Sequence, residues 1–262
     1  MLSKIKSLYS KLKKAILINK LKSQGVEIKD SKTISLTGKV EFNLEDSAKL
    51  IIDKNVSLSD CKIIINSQSK LIIGSGSIIK GTKINMSNGS IFNIKEKVLI
   101  EEIQPYKQYL FLDNAKVNIG QESRIRCSTR VQYGGQLNIG KSTFINEGTD
   151  IRADNLVEIG DYTIISYGVD IFDTNTHSTS WRDRYNAIAS SSLHKIEGEA
   201  KPKNKPIRIG NYCWIGKKAA ILKGVTLEDK VIVALGAVVN SSVPEEYVAY
   251  GNPAKSKPIN HN

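Results

Sequence analysis

Side chains able to do acid–base chemistry near neutral pH are few, because the chain has only three histidines: His177, His194 and His261. His177 and His194 share one polar stretch, whereas His261 is next to the last residue. A neutral imidazole is the natural general base for taking a proton from a hydroxyl or an amine. A histidine in a loop is also a common surface residue, so the residues alone leave both roles open for His177.

Other chemistries have weaker support. A zinc site built across successive repeats needs histidines on several repeats, but His177 and His194 occupy one loop. The cysteines Cys61, Cys127 and Cys213 are far apart and odd in number, which disfavours a disulfide framework. No Gly-x-Ser-x-Gly turn is present. We therefore expect no metal, and a reducing compartment such as the cytoplasm.

In the repeats that must position these residues, an aliphatic residue recurs at every sixth position. Between 209 and 239 the aliphatic positions are Ile209, Ile215, Ile221, Leu227, Val233 and Val239. Four residues after each of the first five comes a small or β-branched residue: Cys213, Ala219, Val225, Val231 and Ala237. Neither a helix nor a single strand has this period. A coil with three short flat sides has it, so the pattern predicts an all-β, parallel β-helix of hexapeptide repeats.

Less regular coils precede this ladder. A short motif that closes one side of each coil ends at Ile52, Ile73, Ile94, Ile119, Ile139, Ile159 and Ile209, with intervals of 21, 21, 25, 20, 20 and 50 residues. The interval of 25 predicts a bulge near Glu101 to Gln108. The interval of 50 predicts one coil plus an excursion over residues 173–205. Long excursions from rigid scaffolds are often functional, and this one contains His177.

The two ends of the chain differ from the repeats. Residues 1–25 are predicted to form a basic amphipathic helix, with Leu2, Ile5, Leu8, Leu12 and Ile16 along one stripe. Residues 26–242 are predicted to form the β-helix, and residues 243–262 a C-terminal tail. The helix is expected to cap the solenoid, to contact an anionic membrane surface, or both.

The positive charge is concentrated at the N-terminus. The net charge is +12, and residues 1–22 contain seven lysines and no acidic residue. No nucleic-acid-binding motif accompanies them, so no nucleic-acid partner is expected. The predicted location is cytoplasmic, with residues 1–22 as a possible peripheral contact to the inner membrane.

The last repeats carry more specific motifs. They are Ile209-Gly210-Asn211-Tyr212-Cys213-Trp214-Ile215-Gly216, Gly236-Ala237-Val238-Val239 and Gly251-Asn252-Pro253-Ala254-Lys255. Together they resemble the hexapeptide-repeat acyltransferases, in particular the maltose/galactoside/xenobiotic acetyltransferase branch with the O-acetyltransferases of bacterial surface polysaccharides. The resemblance covers about residues 139–258. It implies a left-handed β-helix, a homotrimer, acetyl-CoA as donor and a site between neighbouring subunits.

The same resemblance implies roles for individual residues. The stretch from Asp173 to Ser178 is similar to the family's Asp-x-Asp-x-His motif, which selects His177 over His194 as the base and makes Asp173 its orienting partner. Asn146, which corresponds to a family asparagine one coil earlier, is the third predicted catalytic residue. The predicted acceptor contacts are Asn175, Trp181 and Arg182, and the predicted contacts to acetyl-CoA are Trp214, Lys217, Ala219, Gly236, Ala237 and Lys255.

Two positions depart from the family pattern. Asn175 stands where many relatives have an acid, and Asn240-Ser241 replaces the usual Thr-Lys. A phosphate contact would then come from Lys217, Lys218 or Lys223.

The function predicted from these features is an acetyl-CoA-dependent O-acetyltransferase. It would transfer acetyl to a sugar hydroxyl of a surface polysaccharide or oligosaccharide, with His177 as general base and direct attack on the thioester. Two alternatives stay open. An N-acyltransferase acting on an amino sugar needs the same base, and a non-catalytic β-helix scaffold needs no base at all.

Overall fold

The chain is a parallel β-helix. The computed structural model describes residues 2–190 and 202–260, with the side chains of Leu12 and of the residues from Lys14 onward. Each coil supplies one strand to each of three parallel sheets, here named A, B and C in the order in which the chain visits them. The predicted hexapeptide-repeat solenoid is therefore confirmed.

The strands are numbered in chain order. Sheet A contains β1 (Glu27–Ile28), β4 (Lys49–Ile52), β7 (Lys70–Ile73), β10 (Ile91–Ile94), β13 (Lys116–Ile119), β16 (Gln136–Ile139), β19 (Leu156–Ile159), β22 (Ile207–Ile209) and β25 (Thr226–Leu227). Sheet B contains β2 (Ser35–Thr37), β5 (Ser57–Ser59), β8 (Ile78–Lys80), β11 (Leu99–Glu101), β14 (Arg124–Ile125), β17 (Phe144–Ile145), β20 (Ile164–Ile165), β23 (Trp214–Ile215), β26 (Ile232–Val233), β28 (Tyr247–Tyr250) and β29 (Lys255–Pro258). Sheet C contains β3 (Glu41–Leu44), β6 (Lys62–Ile65), β9 (Lys83–Ser87), β12 (Tyr109–Asp113), β15 (Ser128–Gln132), β18 (Asp150–Ala153), β21 (Asp170–Phe172), β24 (Ala220–Leu222) and β27 (Val238–Val239).

The period of six arises because each side of the prism turns one aliphatic side chain inward. Ile165 pairs in register with Ile215, and Ile171 pairs with Ile221, so hexad positions of successive coils stack directly. All six ladder residues and the five small residues between them are buried. Stacked Ile, Leu and Val side chains form one continuous core along the axis.

The N-terminal helix α1 (Leu2–Ser23) covers the first coil with its last turns. Ile18 and Leu21 are buried, and Leu17 packs against the core. Leu12 and Ile16 of the predicted stripe are 58% and 60% exposed and take no part in this cap, because only the end of the helix reaches the prism. No described helix is long and apolar enough to cross a membrane.

Both predicted interruptions of the repeat are present. Residues 102–108 connect β11 to β12 as a bulge. The excursion starts after β21 and returns before β22. It contains a helix that was not predicted, α2 (Trp181–Ala189), whose N-cap Ser180 accepts a hydrogen bond from the backbone N–H of Asp183. Ser180 followed three residues later by an acid is the sequence signal for this helix. His194 lies outside the described residues.

The solenoid continues beyond the predicted end at residue 242. Strand β28 lies parallel to β26 in sheet B, with Val248 opposite Ile232, and Ala249 is fully buried. Strand β29 then pairs antiparallel with β28. Pro244 ends the strict hexads, but the open edge of sheet B still offers unpaired backbone groups, which the tail covers.

Candidate active site

Most predicted donor residues meet at one corner of the prism. We call the links from sheet B to sheet C the B–C corner; in the last two complete coils it comprises residues 216–219 and 234–237. The backbone N–H of Gly236 donates to the carbonyl of Lys217 at 2.9 Å, which ties the two coils together. Lys217 and Gly236 are therefore neighbours along the axis, although about one full coil of chain separates them.

The alanines of this corner have buried side chains and carbonyl groups that are already hydrogen-bonded. The side chains of Ala219 and Ala237 are buried, and their carbonyls accept the N–H groups of Asp170 and Ala220 at 3.0 and 2.9 Å. Gly236 has a φ of +69°, and no atom lies within 4 Å of the place that a Cβ would take. The corner thus presents open space above Gly236, with a tightly bonded backbone beneath it.

The C-terminal tail brings Lys255 to the same corner. The N–H of Ala254 donates to the carbonyl of Val238 at 2.8 Å, and the N–H of Val238 donates to the carbonyl of Gly251 at 3.0 Å. Lys255 follows directly and is exposed. Neither Lys255 nor Lys217 forms an ion pair with an acidic residue in the described part of the chain.

Trp214 stands on the outer face of sheet B beside this corner. Its side chain is 53% exposed and lies in register between Ile164 and Ile232. The indole N–H donates to the Ser166 hydroxyl at 3.3 Å. Ser166 was missed by sequence reasoning, because it is one coil and the whole excursion away from Trp214 in the chain.

His177 lies on the excursion, just beyond a short neck. Thr174 and Asn204 form an antiparallel bridge, and the N–H of Asn175 donates to the carbonyl of Lys203 at 3.0 Å. The two arms of the excursion therefore leave the prism together. His177 is exposed two residues beyond Asn175. The neck therefore fixes the point at which the loop that carries His177 leaves the prism.

Asp173 anchors the neck to the coil below. Its carboxylate accepts the backbone N–H groups of Asp154, Asn155 and Leu156 at 2.8, 2.7 and 2.8 Å. Burial raises the pKa of this carboxyl and the nearby Asp154 adds to the rise, while the three N–H groups oppose it. Asp173 is fully buried. Its described contacts hold the loop in place, and the orientation of His177 by Asp173 stays a prediction.

Two predicted acceptor contacts lie on α2, and the predicted catalytic residue Asn146 lies at the B–C corner. Trp181 is 63% exposed, with the Arg182 guanidinium 5.1 Å from its ring centre. Asn146 belongs to the B–C corner, and both its backbone N–H and its side-chain amide donate to the carbonyl of Ile165, at 3.0 and 2.9 Å. Asn146 is therefore hydrogen-bonded to the coil from which the excursion leaves.

His177, the predicted base, and the corner with the predicted contacts to acetyl-CoA lie at opposite ends of the strands of sheet C. The excursion leaves after Phe172, where sheet C ends, whereas Ala219 precedes the start of the neighbouring strand β24. Three residues of strand separate the two corners by about 10 Å. The coil geometry brings together most residues predicted to contact acetyl-CoA but does not by itself place His177 among them.

The three cysteines are unsuited to nucleophilic catalysis. Cys61, Cys127 and Cys213 are buried and free of disulfides. Burial raises the pKa of the Cys61 thiol to about 12 and that of the Cys213 thiol to about 11. The Cys127 pKa is raised for the same reason. Since the thiolate is the nucleophile, these side chains serve as small core residues.

Known proteins share local sequence with this chain. No family profile matches it. A stretch of 62 residues is 34% identical to the galactoside O-acetyltransferase of Escherichia coli, covering 24% of this chain and 30% of that protein. A Staphylococcus aureus protein named as an acetyltransferase is 39% identical over 62 residues, with the same coverage. The chain thus spans under a third of the length of these curated relatives.

The fold is shared over a greater length. The crystal structure of the polySia-specific acetyltransferase NeuO aligns with 87% of this chain and 80% of its own, with a TM-score of 0.55 and 20% identity. The fold defines a class of protein, the left-handed parallel β-helix built of hexapeptide repeats. The predicted resemblance to hexapeptide-repeat acetyltransferases is confirmed.

Replacement of Asp173 tests its role as the anchor of the excursion. Asp173→Ala leaves three N–H groups without their acceptor, so we expect the free energy of unfolding to fall by about 3 kcal/mol or more. Amide hydrogen exchange at Asp154, Asn155 and Leu156 should accelerate. Asp170→Ala, which removes an exposed carboxylate from the adjacent strand, is the control. Unchanged exchange at the three amides would contradict the anchoring role.

Proposed function

We propose that this protein is an acetyl-CoA-dependent O-acetyltransferase that acts on a sugar hydroxyl of a surface polysaccharide or oligosaccharide. The observation that carries the proposal is the pairing of an open donor corner beside Trp214 with an exposed His177 on an anchored neck. The local identity to galactoside O-acetyltransferase supports a sugar acceptor. A non-catalytic β-helix scaffold, one of the two alternatives, would need neither the open corner nor the exposed histidine.

The chemistry needs one base and good positioning. The acceptor hydroxyl oxygen attacks the thioester carbonyl carbon while His177 takes the hydroxyl proton. The C–S bond then breaks, and the leaving sulfur receives the proton to give the free thiol of CoA. A sugar hydroxyl is a weak nucleophile, so a base that acts during attack lowers the barrier. Holding both substrates together supplies most of the remaining acceleration.

The donor corner suits the parts of acetyl-CoA. The exposed Trp214 ring offers an apolar surface to the pantetheine arm, and the space above Gly236 lets a chain approach the backbone closely. Lys217 and Lys255 offer positive charge to the phosphates.

The active form in this proposal is a homotrimer with the site between copies. Sheet B exposes an in-register column of apolar side chains, Phe144, Ile164 and Trp214, which are 37%, 47% and 53% exposed. Burial of such a column against another copy removes apolar surface from water. Because His177 and the donor corner lie at opposite ends of sheet C, a neighbouring copy can supply the missing half of each site.

His177→Ala should abolish most acetyl transfer. Loss of a general base costs typically 10²–10⁴-fold in rate. The measurement is release of CoA thiol, and transfer of labelled acetyl, with a panel of sugar acceptors. His194→Ala is the matched control, since it removes the neighbouring histidine of the same excursion. Full activity of His177→Ala would refute the assignment, as would an inactive His194→Ala variant beside it.

Mixed oligomers test whether one site uses two chains. We expect His177→Ala and Trp214→Ala chains to be weakly active when assembled separately. Co-assembled from two differently tagged chains, they should recover activity, because some interfaces then combine an intact base with an intact donor corner. Controls are mixtures of each variant with itself, carried through the same procedure. Recovery no greater than in these controls would place each site within one chain.

The N-terminal helix is proposed to dock on an anionic membrane surface. Leu12 and Ile16 are exposed among lysines, and a lone helix of this composition suits an interface that is apolar and negatively charged. Removal of residues 1–25 should reduce co-sedimentation with vesicles that contain phosphatidylserine, whereas neutral vesicles should bind neither form. Equal sedimentation of the truncated and full chains would contradict this contact.

A further inference from the structure

The B–C corner has a step halfway along the prism. Strands β14 and β15 are joined by two residues, 126–127, whereas β17 and β18 in the next coil are joined by four, 146–149. The following three coils also have four residues at this corner. The wider corners must project beyond the narrow one, because the strands on either side stay in register. The step therefore leaves a recess beside Arg126.

The bulge of residues 102–108 overhangs this recess. Its Tyr106 reaches across the narrow corner to Gly148, where a Cβ would lie 3.0 Å from the Cε1 atom of the ring. Gly148 has a φ of +74°, so glycine suits both the backbone and the close contact. The Ser128 hydroxyl donates to the carbonyl of Lys107 at 3.2 Å and holds the end of the bulge against the prism. Tyr106 is still 51% exposed, so much of its ring stays available to a ligand.

A cavity of about 210 Å³ lies between the bulge and the wide corner. Its lining combines two tyrosine rings with charged and hydroxyl side chains, and includes Tyr106, Lys107, Tyr109, Arg126, Ser128 and Asp150. Pockets for drug-sized ligands measure about 300–1,000 Å³. The smaller volume, the aromatic surface and the polar groups suit a single sugar ring, which presents apolar C–H faces and hydroxyl edges.

The charges around the cavity do not favour an anion. The Arg126 guanidinium donates to the Glu101 carboxylate at 2.9 and 2.6 Å, and it lies 3.8 Å from the Glu147 carboxylate. Glu102, at the start of the bulge, adds a further negative charge. Of the two cations in the lining, Lys107 alone forms no ion pair within residues 2–190 and 202–260.

Asp150 makes the lining still less suited to a ligand carboxylate. It pairs in register with Asp170 on the next strand of sheet C. Burial raises the pKa of the Asp150 carboxyl and Asp170 adds to the rise, while Arg130 and Arg152 oppose it. Arg152 is itself hydrogen-bonded to the Asp154 carboxylate at 3.3 Å. A ligand carboxylate would meet a like charge here, whereas sugar hydroxyl groups can donate hydrogen bonds.

The cavity lies in line with the residues of the proposed reaction. The wide corner 146–149 begins with Asn146, the predicted catalytic residue. Backbone hydrogen bonds link this corner to the later coils, since the N–H groups of Gly168 and Lys218 each donate to the coil before, at 3.1 and 3.0 Å. Two coil spacings, about 10 Å, separate the cavity from Lys218. Gly148 and Gly168 place no side chain along this part of the corner.

We propose that this cavity binds one uncharged sugar unit of the acceptor, with the ring against Tyr106 and hydroxyl groups toward Asp150. The inference rests on the proposed function, because it assumes a sugar acceptor at the B–C corner. It goes further by naming two residues outside the predicted set that select the sugar, Tyr106 and Asp150, and by disfavouring a sugar carboxylate at this place. The bulge of residues 102–108 is then a specificity element added to the scaffold.

Binding without turnover tests the cavity. The full chain, in the absence of acetyl-CoA, is titrated with the methyl β-glycosides of glucose, galactose, glucuronate and galacturonate, and binding is followed by ligand-observed NMR. We expect at least one neutral glycoside to bind, and the uronate of the same ring configuration to bind at least about tenfold more weakly. Binding of neither neutral glycoside, or equally tight binding of the matched uronate, would overturn the proposal.

Tyrosine variants locate the bound sugar. Tyr106→Ala should weaken binding of the neutral glycoside roughly tenfold, whereas Tyr106→Phe keeps the ring and should change it less than about twofold. Tyr133→Ala is the matched control, because it removes a tyrosine that is 49% exposed on the corner between sheets C and A. Its affinity should stay within about twofold of the wild type. Equal losses in Tyr106→Ala and Tyr133→Ala would indicate non-specific binding and refute the cavity.

Asp150→Asn separates selectivity from folding. The amide keeps the shape of the side chain and removes its charge, so the preference over the matched uronate should shrink from about tenfold to about threefold or less. A bulge that had merely loosened would weaken both sugars alike. An unchanged preference would contradict the role of Asp150.

Acetyl transfer distinguishes this proposal from the proposed function. In Tyr106→Ala the KM for the acceptor should rise roughly tenfold while the KM for acetyl-CoA stays level. An unchanged acceptor KM would refute the cavity alone. Glycoside binding that depends on Tyr106, together with no acetyl transfer by the wild-type chain to any acceptor of a broad sugar panel, would refute the proposed function alone.

Discussion

The structure depends on the hydrogen bonds that join each coil to the next. Each strand of the three-sided coils pairs in register with the strand one coil away, so these coils have nearly the same cross-section and one inward aliphatic per side. Any surplus residues must leave at a corner, because a strand that gained residues would lose its register. The bulge of residues 102–108 and the excursion of residues 173–205 obey this constraint at two different corners.

Residues from different coils can form one site because the corners of successive coils are stacked. Residues that occupy equivalent corners of successive coils lie one strand spacing apart, as Lys217 and Gly236 do through their backbone hydrogen bond. The same stacking lets Asp173 reach back to three backbone N–H groups of the preceding coil and hold the base of the excursion. The polar loop thereby begins from a fixed point, as the proposed role of His177 as a general base requires.

The B–C corner combines the features that bear on substrate choice. Its C-terminal end has open space over a closely bonded backbone, and its N-terminal end has a cleft beside the bulge of residues 102–108. The outer face of sheet B is instead apolar at Phe144, Ile164 and Trp214. A ligand at the corner and a second copy of the protein on the face are compatible, since they use different surfaces.

The sequence by itself determined the repeat, its inward residues and the places where it is interrupted, because the period of six from Ile209 to Val239 is a direct consequence of a three-sided coil. Through short motifs it also predicted His177 as the base and a set of residues that contact acetyl-CoA. It did not show that Asp173 bonds the preceding coil, that Ser166 receives the Trp214 indole, or that β28 extends the solenoid. Only the tertiary structure decided these, together with the opposite placement of His177 and the donor corner and the cavity between Tyr106 and Asp150, because each depends on which residues of different coils the stacking brings side by side.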